Sequence, residues 1–366
     1  MSSSKALPIH LITGLLGSGK TTALRQLITQ KPKEETWGFI INEFGEVDID
    51  AATLIQTNSS NKNDNPIISV AGGCVCCTAQ AGLSQAINQL LNQQSEMQPL
   101  TRIWIEPTGL GHPAKIIDTL THTQFAQPLV LQKIVCVISP QQLTKERWQK
   151  SAVMRDLVTL SDIILLNKTD LSDEKESLQA IALLEGLYPP KQNIVKTKHS
   201  QVELQLLLQP RPTQALSLLS STNKSASIGE DVHLQQTVQR SQRVNSDLPD
   251  LIRCIKHNDI HTGTTTAIGW VFAASTQFNR IKLKEFFKTL SPVLSRAKGI
   301  LKTGNEWQLI NWSYDNDKSQ LTFEDIAWRQ DSRLECLFQD DISQSTELLE
   351  DKMIEIQLLS CISKHA

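Results

Sequence analysis

GLLGSGKT, Gly14 to Thr21, decides how the first half of this chain folds. It fits G-x-x-x-x-G-K-[ST], with Gly14, Gly19, Lys20 and Thr21 in the specified places. The mostly apolar run Ile9 to Ile12 before it predicts a strand, and Thr22 to Ile28 after it follows helical spacing. In that setting Gly14, Gly17 and Gly19 let the backbone curl, so that successive N–H groups face phosphate oxygens. The helix N-terminus adds partial positive charge, Lys20 supplies a point charge toward the β- and γ-phosphates, and Thr21 offers its hydroxyl to Mg²⁺.

Outward from this loop, apolar runs alternate with helical stripes. Strands are predicted at Trp37–Ile41, Ile67–Val70, Ile103–Ile105, Ile134–Ile138, Ile163–Leu166 and Ile194–Val195. Helices are predicted around Leu83–Leu91, Trp148–Leu160 and Asp173–Leu187. Such alternation implies an α/β fold with a mostly parallel sheet, a P-loop NTPase domain over residues 1–210. Residues 211–247 are rich in Ser, Gln, Thr and Asn and read as a polar linker. From 248 to 366 the rhythm changes. Strands at Leu251–Ile255, Ala267–Phe272, Ile300–Thr303, Trp307–Trp312 and Leu334–Phe338, with helices at Arg280–Leu290 and Thr346–Ile362, predict a smaller α+β domain. Its antiparallel sheet is expected to be covered on one side, with Trp270, Trp307, Trp312 and Trp328 in its core.

Composition narrows the function. A net charge of −2 argues against nucleic acid as the main partner, because phosphate backbones call for a basic face. No apolar run is long enough to span a bilayer. The mostly polar Met1–Pro8 predicts no secretion signal and hence a cytoplasmic chain. Seven cysteines, three of them within four residues, do not resemble a disulfide framework.

Asn167-Lys168-Thr169-Asp170 follows a predicted strand directly. There Asp170 can accept two hydrogen bonds from guanine N1–H and its exocyclic amine, which adenine cannot offer. Asn167 can donate to the opposite edge, and the stem of Lys168 can lie along the ring. Glu106, ending the strand Ile103–Ile105, sits where a carboxylate reaches Mg²⁺ or its waters. Gly72-Gly73-Cys74-Val75-Cys76-Cys77 gathers three soft ligands suited to Zn²⁺ or another thiophilic divalent ion. A thiol–disulfide switch and buried inert cysteines are the competing readings of Cys74, Cys76 and Cys77. Glu43 and His112 are candidate extra ligands, whereas His257 and His261 flank turn-forming residues and make a weak second site. Cys136, Cys254, Cys336 and Cys361 sit singly among apolar neighbours and read as core.

GLLGSGKT at 14–21, NEFGE at 42–46, GGCVCC at 72–77, EPTGLGHP at 106–113 and NKTD at 167–170, in this order, resemble the CobW-type phosphate-loop GTPases, a family of metal chaperones. The resemblance continues weakly through Gly269–Phe272 and Lys298–Leu301. Pro107 stands where most of the family has serine or threonine, and EPTGLGHP is similar to the YeiR-type zinc-binding subgroup. The resemblance implies that Gly17, Ser18, Gly19, Lys20, Thr21 and Thr22 hold phosphates, that Thr21 and Glu106 form the Mg²⁺ region, and that Asn167, Lys168 and Asp170 hold the base. It further implies that Cys74, Cys76 and Cys77, with Glu43 as helper, hold a transported metal. The expectation is a GTP hydrolase using GTP and Mg²⁺, with Zn²⁺ passed to a client metalloprotein and homo-oligomerisation left open. Cobalt or nickel insertion, a thiol-redox sensor and a small-molecule kinase are the alternatives.

Overall fold

The computed structural model describes residues 6–43, 66–71, 79–94, 99–107, 113–191, 193–209, 211, 238–243, 252–260, 263–315, 318–339 and 351–364. The chain divides into two units, Met1–Thr213 and Gln214–Ala366.

In the first unit, β1 (Leu7–Gly14), β2 (Trp37–Glu43), β3 (Ile67–Ala71), β4 (Arg102–Glu106), β5 (Leu129–Ile138), β6 (Ile163–Leu166) and β7 (Asn193–Lys196) form a seven-stranded sheet. Its order is β3-β2-β4-β1-β5-β6-β7, and every pairing is parallel. All seven strands therefore point their carboxyl ends to one edge, which is where ligands of such sheets sit. The helices are α1 (Lys20–Ile28), α2 (Ala79–Gln93), α3 (Pro113–His122), α4 (Lys145–Lys150), α5 (Ala152–Leu160), α6 (Glu174–Glu185) and α7 (Leu204–Leu208).

Both faces of the sheet are covered. On one, Leu24 and Leu27 of α1 and Leu204 and Leu207 of α7 pack on Ile12, Trp37, Phe39 and Trp104. On the other, Met154, Leu157 and Val158 of α5 and Ala180 and Leu184 of α6 pack on Cys136, Ile138, Ile164 and Leu166. Each such Leu or Ile contributes roughly 1.5–3 kcal/mol when fully withdrawn from water. This two-sided burial explains why the strands read as continuous apolar runs.

The helix expected over Trp148–Leu160 is two helices. Ser151 adopts an extended conformation, and its Oγ accepts from Met154 N at 3.2 Å, ending α4 and capping α5 in one residue. The helix expected from Asp173 is capped there by a reciprocal box with Glu176. Helix α3 was not anticipated: its apolar face is short and follows Pro113, which fits the first helical position.

The second unit holds β8 (Val238–Arg243), β9 (Ile252–Ile260), β10 (Gly263–Phe272), β11 (Gln277–Phe278), β12 (Leu294–Thr303), β13 (Glu306–Asp315), β14 (Lys318–Asp325), β15 (Ser332–Gln339) and β16 (Ile362–Lys364). The sheet runs β14-β13-β12-β15-β10-β9-β8 with antiparallel neighbours, and β11 joins β12 to β16. Helices α8 (Arg280–Leu290) and α9 (Asp351–Ser360) cover one face, where Phe286, Phe287, Leu290 and Leu358 meet Trp270, Phe272, Trp312 and Phe338. This is the α+β arrangement expected.

Three details differ. Val238–Arg243, inside the stretch read as linker, is strand β8, paired with β9 from Val238↔His257 to Arg243↔Ile252; its residues VQRSQR carry no apolar alternation to announce it. Strand β14 also lies outside the expected strands; only Leu321 and Phe323 in it are apolar, and both pack against the core. The helix expected through Ile362 stops at Ser360, because Ile362 pairs with Phe278; residues 346–350 of that expectation lie outside the described residues. The four expected core tryptophans are buried, as are Cys136, Cys336 and Cys361, each a free thiol. The side chain of Cys254, in β9, lies outside the described residues. Among the described residues no helix is long and apolar enough to cross a membrane.

Candidate functional site

Central strand β1 ends at Gly14, and the chain turns through Leu15–Gly19 into α1. Gly14 has φ 145°, and a Cβ there would lie 2.1 Å from Val137 O. Gly19 has φ 107°, and a Cβ there would lie 2.4 Å from Asn167 Nδ2 and 2.7 Å from Ser200 Oγ. Both glycines are therefore demanded by their neighbours, a strand at Gly14 and two loops at Gly19, as well as by backbone dihedrals. Gly19 caps α1 in a left-handed conformation with no side-chain hydrogen bond to the first turn. The opening N–H groups of α1, from Lys20 to Thr22, are thus left for an anion.

Lys20 is buried, and its Nζ donates to Leu15 O at 3.2 Å, lying back along its own loop. Burial pulls its pKa below the usual lysine range, and the Glu106 carboxylate opposes that pull. Thr21 Oγ1 donates to Glu106 Oε1 at 2.9 Å. Glu106 is buried at the end of β4, next to β1 in the sheet. A hydroxyl and a carboxylate meeting beside a phosphate loop are hard oxygen donors of the kind Mg²⁺ takes, so the residues present fit that ion.

The tip of the loop is held from β5. Gln142 Nε2 donates to Leu16 O at 2.9 Å, while its Oε1 accepts from Ser139 N at 3.2 Å. Ser18 Oγ is buried without a hydrogen-bond partner among the described residues.

Asn167 is hydrogen-bonded to the loop that leads into Lys20. Its Nδ2 donates to Ser18 O at 2.8 Å and to Ser200 Oγ at 2.7 Å, and its Oδ1 accepts from Ser200 N at 2.8 Å. Ser200 Oγ in turn donates to Gly19 O at 2.9 Å. The carboxamide thus ties Ser18 to the loop that carries Ser200. Asp170 is exposed, and Lys168 is half-buried with φ 59°. His199 and Ser200 also carry positive φ, 55° and 53°. Three non-glycine residues in the left-handed region cost roughly 1–2 kcal/mol each. They are held there by the Asn167–Ser200 clamp and by Thr169, whose Oγ1 donates to Thr197 O at 3.1 Å. Backbone strain concentrated in paired loops is a mark of ligand clamps.

Ser200 and Gln142 were missed in the sequence. For Ser200 a signal existed: the short strand Ile194–Val195 sends Thr197–Ser200 to the same sheet edge as NKTD. Gln142 sits in an ordinary polar turn and offered none.

Glu43 ends β2, where it pairs with Ala71, the last residue of β3, and Ile41 pairs with Glu106. Backbone register thus brings Ala71, the residue before the cysteine segment in sequence, to the carboxyl edge that carries Glu106. The side chain of Glu43, the thiols Cys74, Cys76 and Cys77, and His112 and His261 lie outside the described residues. His257 lies in β9, its side chain likewise outside. Among the described residues there is no cluster of three or more His, Cys, Asp or Glu able to hold a metal.

A family model described as CobW/HypB/UreG, nucleotide-binding domain, matches residues 8–196. The chain is similar to the zinc chaperone YeiR of Escherichia coli, 32% identical over 328 residues that cover 90% of this chain and 92% of that protein. It is also similar to the zinc chaperone YjiA of the same organism, 28% identical over 204 residues, covering 55% and 60% respectively. Among solved structures, Zn(II)-bound YjiA GTPase from E. coli aligns over 98% of this chain and 99% of that one, with 16% identity and a TM-score of 0.42.

Proposed function

This chain belongs to the CobW/HypB/UreG family, and from that premise and the geometry of its phosphate loop we propose that it is a cytoplasmic GTP hydrolase that carries zinc to a client protein. One observation supports the hydrolase reading above the others: Thr21 and Glu106, 85 residues apart, meet at 2.9 Å beside an uncapped helix start and a buried lysine.

The first-turn N–H groups of α1 and Lys20 bind the phosphates, and Lys20 leaves Leu15 O to follow the γ-phosphate. Charge that develops on the transferred phosphoryl group is stabilised by donors already in place, which is the main protein contribution to such chemistry. Thr21 and Glu106 would hold Mg²⁺, which would supply neutralising charge to the phosphates. Asp170 selects guanine by accepting from its N1–H and amine, and Asn167 keeps the base loop in register with the phosphate loop. GTP against ATP turnover in Asp170→Ala tests the base assignment. An unchanged preference for GTP would move recognition elsewhere.

The zinc is cargo. Cys74, Cys76 and Cys77 supply three thiolates and leave a fourth position open, with Glu43 as helper. In this reading the γ-phosphate and Mg²⁺ order the loops that follow β2 and β4, on either side of the cysteine segment in sequence, and hydrolysis releases them. Linkage then requires zinc to tighten GTP by the factor by which GTP tightens zinc. Zinc titration against a competing chelator, with GDP and with a non-hydrolysable GTP analogue, measures that factor. Equal zinc affinities, or an unaltered factor in the triple variant Cys74→Ser, Cys76→Ser, Cys77→Ser, would end this account.

A further inference from the structure

The outer face of the two-helix layer in the second unit has no role in the function above. Helices α8 and α9 pack side by side and antiparallel: Asn279 N donates to Cys361 O at 2.7 Å and Lys282 Nζ to Ser360 O at 3.0 Å, which sets the start of α8 against the end of α9. Their inner faces are spent on the core, through Leu283, Phe286, Phe287 and Leu290 of α8 and Ile354 and Leu358 of α9. Their outer faces are unusual for a surface. Ile281 is 70% exposed, Ile356 59% and Met353 44%, three of the seven large apolar side chains exposed among the described residues.

Spacing puts each group on one face of its helix. Ile281, Lys284, Glu285 and Lys288 fall at i, i+3, i+4 and i+7 on α8, and Met353, Ile356 and Ser360 at i, i+3 and i+7 on α9, so each set lines one helical face. The exposed charges on α8 are Arg280, Lys282, Lys284 and Lys288 against the single carboxylate of Glu285. This is a local excess of positive charge on a chain whose net charge is −2. An apolar stripe rimmed by cations is complementary to a segment with acidic and aliphatic residues.

We propose that the outer face of α8 and α9 docks an acidic segment of a partner protein whose aliphatic side chains cover Ile281, Met353 and Ile356. A second copy of this chain fits poorly, since a two-fold contact would set lysines against lysines. A membrane surface fits poorly too: the apolar side chains are few, and the cations stand among them rather than on an opposite face. The inference does not depend on the nucleotide or zinc readings.

The test places the photo-crosslinker p-benzoylphenylalanine at exposed Thr289 in the full chain, expressed in its native cells, with the same crosslinker at exposed Gln320 of β14 as control. The attachment point on the adduct is mapped by mass spectrometry. The expected adduct is an acidic, aliphatic segment of another protein. Its yield falls at least about fivefold in Ile356→Ser and in Lys284→Glu/Lys288→Glu, and persists in Lys288→Arg. It also falls at high salt, because exposed charges are screened over roughly 10 Å at 0.1 M ionic strength. Unchanged thermal unfolding of the surface variants shows that each is folded. The proposal is overturned by an adduct yield no greater than the Gln320 control, by attachment to lipid, to a second copy or within the same chain, or by an acidic adduct indifferent to charge reversal.

Discussion

The two units treat buried polar groups differently. In the parallel unit, Lys20, Glu106, Asn167 and Ser200 are buried at the carboxyl edge of the sheet and join loops distant in sequence. They surround a helix start with no side-chain cap. In the antiparallel unit, three polar pairs close within the packed scaffold. Arg333 Nε donates to Asp331 Oδ1 at 2.7 Å, Gln308 Nε2 to Asp325 Oδ1, and Trp270 Nε1 to Glu355 Oε2 at 3.1 Å. Polar burial that converges on loops and leaves donors over marks a binding site. Polar burial that closes on itself inside a sheet fixes architecture and nothing more.

The largest expected effect falls on the first kind. Lys20→Ala should lower GTP hydrolysis by about 10²–10³-fold, the usual consequence of losing a positioned charge at a reacting oxyanion. Without nucleotide it should not destabilise the chain, because burial already disfavours the ammonium. Loss of stability in the apo variant, measured by calorimetry, would mean that Lys20 is scaffold and would break the contrast.

Asn167→Ala sharpens it from the other side. It leaves Ser200 N and Ser18 O without their partner, takes one donor from Ser200 Oγ, and should cost about 3 kcal/mol. Weakened nucleotide binding should accompany it, read by urea unfolding and by GDP titration. Intact nucleotide affinity would show that the clamp serves only the fold.

The third expectation concerns pH. His10, buried in β1, stacks on Trp104 at 4.2 Å and lies 3.2 Å from Arg102 Nη1 through Nε2. Burial, with Arg102 adding to it, lowers its pKa to about 3. The unfolded chain therefore takes up a proton near pH 6.5 that the folded chain refuses until about pH 3, so stability rises with pH across that window and falls on acidification. Between pH 7 and 5 the loss should be about 2 kcal/mol. His10→Phe should flatten the dependence in the first unit and leave the second unchanged. The smallest effect is Trp270→Phe, which removes the indole N–H donor to Glu355 and should cost roughly 1.5 kcal/mol. GTP turnover should not change, and a change would make the second unit a participant in the chemistry.

The same contrast explains what could be read in advance. Parallel strands buried on both faces announce themselves as apolar runs, and a loop whose glycines meet Val137, Asn167 and Ser200 must keep its glycines, so GLLGSGKT was legible at once. Strand β8, VQRSQR, was not, because its pairing with β9 is a backbone matter that leaves no apolar signature. The hydrogen bonds of Asn167 to Ser18 and Ser200 are likewise invisible in NKTD, since a tetrapeptide reveals which groups are present but not which are already engaged. Ser200 escaped because its role depends on a neighbour 33 residues away rather than on a motif of its own.

The space a Cβ would need at Gly19 is occupied by Asn167 and Ser200 at once. The φ of 107° there keeps residue 19 a glycine whatever the space, so drift is confined to positions 167 and 200, which homologues should replace only as a matched pair. A library varied at both codons together would recover active members that no single-site scan contains, making residues 167 and 200 one heritable unit around a fixed glycine.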